Sequence, residues 1–514
     1  MSHPLDGLQF PIDAKTQKPS STRVGKDIIA EALSLVDNKS SQAVLAEKNW
    51  RKQYPQYFKA LVKAGILNAE NTLKIAEQGL QKARSSVDFY RYGERYALKD
   101  AVKLNAQSLH TVTITGKSDA APDWYVPYQG QKLRGDALLK QLDAWQAAGI
   151  IEPSHADAMR LCVAHPEWFD LSDRSMVLFG AGSEAGPLTW LCKWKANIVA
   201  VDLANAKVWQ RILNTVQAGN ATLYAPSHQV TNADASDVAE HLGANLLSEI
   251  PEIIKWLVQN PKQLDLAAIA YLDGEKHVRV SIAMDSIMSE VSAQKPNTSL
   301  MFMCTPTDVY AVPPEVIAAS QVKYQQRSKI HRQLSKALAL ISRQYLFKAN
   351  DHRLLSTDNG QQYGLSDCLV IEQGPNYALA KRLQQWRATL ARAQGQVVSI
   401  NIAPSTTTHS VVKNPLLKAA FDGAQLFDVE AFAPETTNAL MAALWVHDLR
   451  NPNSVAQPTT ELKHPLELLM SGANHGGLWR VAYLARTALP FAAVYGMAKE
   501  KVPTQLFAKF HKSL

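Results

Sequence analysis

Short apolar runs alternate with amphipathic stretches along the middle of this chain, and that alternation organises the reading of the whole. Met176 to Phe179, Asn197 to Val201, Leu266 to Leu272, Ser299 to Cys304 and Gln396 to Ala403 are compact apolar runs of the kind that form strands buried on both faces. Between them, Val208 to Val216, Glu252 to Gln259, His277 to Val291 and Tyr377 to Ala393 carry apolar residues at helical spacing. Thr222 to Ala225 and Ala244 to Leu247 read as further short strands, and Cys368 to Ile371 as the end of another. The pattern predicts an α/β fold with a doubly wound, Rossmann-like parallel sheet. Residues 311 to 370 interrupt it. There Gln321 to Lys348 reads as one long helix, basic on one side and apolar on the other through Ile330, Leu334, Leu338, Ile341 and Tyr345.

Either side of this core the pattern is mainly helical. Residues 1–25 read as an extended arm and 26–170 as a helical N-terminal domain, broken by a strand-like alternation from His110 to Thr115. Residues 171–430 are expected to form the Rossmann-like sheet domain with its insertion. Residues 431–514 are a helical C-terminal region expected to shape a substrate pocket, with His475 a candidate for contacting substrate.

The first βα turn carries the chemistry. After Phe179 comes Gly180-Ala181-Gly182-Ser183-Glu184-Ala185-Gly186, then a helix expected from Pro187 to Lys193, then a second strand ending in Asp202. That is a G-x-G-x-x-A turn with an acid about twenty residues on, the arrangement that binds a dinucleotide. Gly180 permits the sharp exit from the strand, Gly182 lets a pyrophosphate approach the backbone, and Ala185 lets helix and strand pack closely. Ser183, Glu184 and Gly186 complete the loop, and amides at the helix start would face the phosphates. Asp202 would accept from a ribose 2′-OH and repel a 2′-phosphate. It favours NAD over NADP, although Lys207 and Arg211 stand nearby.

Composition narrows the class. The 514 residues are 46% hydrophobic and 19% charged, with a formal charge of +8, an ordinary globular balance that suits an anionic ligand without pointing to nucleic acid. Cys162, Cys192, Cys304 and Cys368 are widely spaced, which suggests neither a zinc framework nor a disulfide scaffold and fits a reducing cytoplasm. No metal site is expected. The N-terminus lacks the apolar core of a signal peptide, and Leu489 to Ala498 is too short to cross a bilayer, so no stable membrane insertion is expected.

Tyr377-Ala378-Leu379-Ala380-Lys381, followed by a helix and then Asn401-Ile402-Ala403-Pro404-Ser405 with Thr406, Thr407 and Thr408, resembles the short-chain dehydrogenase/reductase superfamily. That family carries Tyr-x-x-x-Lys on a helix, then Asn-x-x-Ala-Pro-Gly and a threonine after the next strand. The resemblance implies an NAD(P)-dependent oxidoreductase acting on a small carbonyl or alcohol, and a homo-oligomer. Tyr377 would be the general acid/base, with Lys381 lowering its pKa and holding the nicotinamide ribose. Thr305 or Thr307 would stand for the strand-end serine. Asp273 and Gly274 occupy the place of the family's Asn-Asn-Ala-Gly, and Pro404 and Thr407 that of its later cofactor contacts.

The departures are specific. The glycine turn is of the general dinucleotide kind rather than the family's own, and the catalytic asparagine has no match, its place falling near His277 or Arg279. Thr305 and Tyr377 lie on opposite sides of the insertion, where the family keeps the pair close in sequence. These departures keep open a non-catalytic nucleotide-binding protein of the same fold, serving assembly or sensing.

Overall fold

The computed structural model describes residues 6–13, 17–413 and 415–501. Parts of the expected N-terminal arm and the end of the C-terminal region therefore lie outside the described residues. Within the arm, Gly7–Gln9 is a strand.

A mixed α/β architecture surrounds a seven-stranded sheet. In chain order its strands are β1 (His110–Thr115), β2 (Ser175–Phe179), β3 (Asn197–Val201), β4 (Thr222–Ser227), β5 (Leu264–Ala268), β6 (Ser299–Cys304) and β7 (Val398–Ile402). Across the sheet they run β7-β6-β5-β2-β3-β4-β1. The strands from β2 to β7 are parallel to their neighbours, and β1 joins the edge antiparallel to β4. Every residue of β2, β3, β5, β6 and β7 is buried, as expected of strands covered on both faces. In β1 only Val112 and Ile114 are buried, so its alternation marks an edge strand with one dry face. Counted from β2, the order is that of a doubly wound dinucleotide-binding sheet, with the switch point between β2 and β5.

Five long helices matter for the site: α1 (Ser21–Ser34), α2 (Trp50–Leu67), α3 (Ala69–Ser85), α4 (Glu275–Gln294) and α5 (Pro375–Ala393). α4 and α5 lie side by side, and α1 and α3 pack over them. One continuous apolar core joins these helices to the sheet through residues such as Ile28, Phe58, Ile75, Ile287, Leu383 and Leu266. At the centre of the helical layer is Asp285 of α4. Its carboxylate accepts from Arg84 Nε of α3 at 2.6 Å and from Arg387 Nε of α5 at 2.5 Å, joining three helices through one buried charge.

Four local expectations differ from the structure. The helix after the glycine turn is a single turn, Leu188–Leu191, because the chain folds back and Asn220 N donates to Cys192 O at 2.7 Å. The long basic helix is two helices, Pro314–Gln326 and Lys329–Ile341; Ser328 caps the second by accepting from His331 N. Ile330, Leu334 and Ile341 on its apolar side are exposed. Residues 244–247 form no strand; Leu247 O instead accepts from Leu8 N at 2.8 Å. Finally, the strand expected at Cys368 is Gln362–Asp367, antiparallel to Val309–Val312 in a small separate sheet. No helix among the described residues is long and apolar enough to cross a membrane.

Candidate active site

The end of β6 draws three of the sequence candidates together. After Cys304 the chain turns, and Thr305 Oγ1 and Thr307 Oγ1 lie 2.8 Å apart. Tyr310 OH donates to Thr305 O at 2.6 Å and fixes that turn from behind. α5 begins just after Gly374, so Tyr377 falls in its first turn and Lys381 follows one turn later on the same side. The Thr305 side chain stands beside the Tyr377 phenol. Lys381 Nζ donates to Met303 O at 3.0 Å and to Gln384 Oε1 at 3.3 Å. The helix is held against the turn by buried Asp308, which accepts from Arg382 Nη2 at 2.8 Å and Gln385 Nε2 at 2.9 Å.

The electrostatics reverse one expectation. Burial pushes the Tyr377 phenol up to about 12, and the neighbouring Thr305 side chain offsets only part of that. Burial also lowers the Lys381 ammonium, whose hydrogen bonds go to a carbonyl and an amide. Lys381 therefore does not depress the phenol; Tyr377 keeps its proton at neutral pH.

A histidine stands beside the phenol. The His277 ring stacks on Tyr377 at 5.5 Å between centroids and 21° between planes, with Tyr271 against both. Arg279, the other residue near the place of the family's asparagine, points away: its Nη1 donates to Leu8 O and Gln9 Oε1. The stack could not be read from sequence, since it needs α4 and α5 to be neighbours. Asp273 and Gly274 lie on the same side, where Asp273 accepts from Tyr271 OH at 3.0 Å and Gly274 starts α4.

The glycine loop sits at the tips of β2 and β3. Gly180 has φ +92°, and a Cβ there would meet Ala270 Cα at 2.6 Å, so the turn demands glycine. Gly180→Ala is expected to cost roughly 1–3 kcal/mol, measured as a lowered urea midpoint. Asp202 reaches the loop: its Oδ2 accepts from Gly182 N at 2.7 Å and its Oδ1 from Leu203 N at 2.8 Å. Arg211 Nη2 donates to Gly182 O at 2.5 Å. Burial pushes the Asp202 carboxyl up, against the pull of those amides and Arg211.

A dinucleotide fits here in part. Asp202 stands where a ribose acceptor belongs, and each of its oxygens keeps a free lone pair. The amides of Gly180 and Ala181 donate to Val201 O, that of Ser183 to Gly180 O, and that of Gly186 to Ser183 O. With Gly182 N on Asp202, the pyrophosphate would be left with the amides of Glu184 and Ala185. The Glu184 carboxylate itself accepts from His409 N at 3.0 Å, and Asn438 Nδ2 donates to Glu184 O at 2.9 Å. Beyond β7, Pro404 is buried, and Thr407 directs both N and Oγ1 to Phe432 O at 2.9 and 3.2 Å, tying the C-terminal segment down. His475 is fully buried, with Nε2 2.8 Å from Glu152 Oε1 and its ring stacked on Trp479; it is part of the core rather than a substrate contact. No group of three or more metal-ligating side chains occurs among the described residues.

Comparison with known proteins adds little. No family model matches the chain, and no curated protein does. Among solved structures it is similar to the terminal R domain from the myxalamid PKS-NRPS biosynthetic pathway. Identity is 12% over 62% of this chain and 72% of that chain, with a TM-score of 0.32. Similarity at that level leaves function to the geometry of the site.

Proposed function

We propose that the protein is an NAD(P)-dependent oxidoreductase that interconverts a small carbonyl compound and its alcohol. One observation carries the reading: the Tyr377 phenol and the Thr305 hydroxyl meet at the carboxyl end of β6, with Lys381 on the same strand end. Ligands of doubly wound sheets bind at that edge. The bound nicotinamide supplies the hydride. Tyr377, protonated across the neutral range, suits the acid role in reduction: it donates to the carbonyl oxygen as negative charge develops there. Thr305 and Thr307 form a hydroxyl pair able to hold that oxygen and relay the proton, and Lys381 adds positive charge beneath. Asp202 would hold the adenosine ribose, with Glu184 and Ala185 offering amides to the phosphates.

Oxidation of NADH or NADPH followed by absorbance across a panel of aldehydes and ketones tests the reading: turnover with one substrate class supports it, and none with any opposes it. Asp202 favours NADH, since a 2′-phosphate would bring like charges together. Asp202→Ala is expected to shift the NADPH-to-NADH affinity ratio by about tenfold or more towards NADPH in fluorescence titrations.

The inward-turned amides of the glycine loop favour a second reading, a non-catalytic nucleotide-binding protein. Such a protein would bind a nucleotide without turnover, and Tyr377→Phe would change nothing.

A further inference from the structure

An amphipathic helix in a globular protein ordinarily turns its apolar stripe to the core. The helix Lys329–Ile341, inside the inserted segment, does the reverse. Ile330, Leu334, Ala337 and Ile341 recur at helical spacing and share one face. Ile330 and Ile341 are 76% and 80% exposed, and Leu334 is 55% exposed. The one buried side chain of this helix is Ser335, whose Oγ accepts from Tyr483 OH at 3.0 Å. The helix therefore meets the body along a serine and offers leucine and isoleucine to water.

Apolar surface continues past the end of the helix. Tyr345 is exposed, and Phe347 packs edge-on against Phe491 with ring centroids 5.2 Å apart. Phe491 and Val494, on the helix Ala485–Lys501, are exposed as well. Exposed apolar surface gathered in this way marks contact with another body.

Charge selects which body. Seven lysines and arginines, and no aspartate or glutamate, lie between Glu315 and Asp351. Lys323 pairs with Asp428, and Arg327 covers the Phe427 and Tyr483 rings. Lys329, Lys336, Arg343 and Lys348 are exposed and pair with no carboxylate among the described residues. Lys329 and Lys336, two turns apart, form a basic row beside the apolar stripe. The partner must be apolar under the stripe and anionic beside it. A second copy of the chain would bring like charges together. An acidic groove that wraps around a helix is barred, because the body occupies the Ser335 side. A bilayer with anionic headgroups meets both needs: its acyl boundary takes the isoleucines and leucine, and its phosphates take the lysines.

We propose that this face docks the protein on the surface of an anionic lipid bilayer, with the helix Lys329–Ile341 lying in the headgroup region. The helix rests on the membrane and does not span it. The docking face does not depend on the reductase reading.

Co-sedimentation of the full chain with vesicles tests it, comparing phosphatidylcholine alone with an equimolar mixture of phosphatidylcholine and phosphatidylglycerol. Binding to the mixed vesicles is expected to be about tenfold tighter or more. Ile330→Ser combined with Ile341→Ser should weaken it about tenfold or more, and so should Lys329→Glu combined with Lys336→Glu. All four positions are exposed, so circular dichroism and the thermal midpoint should match those of the natural chain. Absence of binding to the mixed vesicles overturns the proposal. So does binding that the lysine changes weaken and the isoleucine changes leave intact, since that reports adhesion of a basic protein without its apolar face. A dimer in sedimentation velocity that the isoleucine changes dissociate, with no vesicle binding, assigns the face to a second copy and overturns it too.

Discussion

Tyr377→Phe is expected to lower the rate of carbonyl reduction by roughly 10²–10⁴-fold while leaving NADH affinity unchanged. Phenylalanine keeps the ring that stacks on His277 and removes only the hydroxyl that stands beside Thr305. Cofactor binding should survive because the contacts assigned to it lie at the tips of β2 and β3. The pH profile follows from the same geometry. With the phenol raised to about 12, reduction keeps its proton donor through the neutral range and loses it only as pH approaches that value. A wild-type rate in Tyr377→Phe would remove the phenol from the chemistry and leave the non-catalytic reading.

The largest expected effect on stability belongs to Asp285→Asn, which should lower unfolding stability by about 3–5 kcal/mol in urea titrations. Asparagine preserves the shape but leaves Arg84 and Arg387 facing each other across α4 with no negative charge between them. Burial alone would raise the Asp285 carboxyl, and Arg387 and Arg84 more than offset it, so its folded pKa lies below the usual value. A depressed carboxyl stabilises the fold above its unfolded pKa, near ~3.9, and the contribution is lost as pH falls through the folded value. The gap between natural protein and variant should therefore be full at neutral pH and close in acid. A constant gap across that range would show that Asp285 acts through shape, not charge.

The sheet was legible because its strands are buried on both faces. Apolar runs such as Ser299 to Cys304 and Asn197 to Val201 can be little else when turns and amphipathic stretches bound them. The Tyr377–Lys381 spacing likewise conveyed a shared helix face, since that depends only on helical periodicity. What failed depended on distant partners. The helix after the glycine turn has helical composition, yet Asn220, from another part of the chain, closes on Cys192 and halts it after one turn. The Lys381 ammonium was expected to act on the phenol, but Met303 O and Gln384 take it up.

An oxidoreductase of this kind must bind a nicotinamide coenzyme. Titrating the purified chain with NADH and following the nicotinamide fluorescence should give a saturable one-to-one enhancement, weakened in Asp202→Ala. A signal that stays flat up to millimolar NADH, or one indifferent to Asp202, would contradict the oxidoreductase reading.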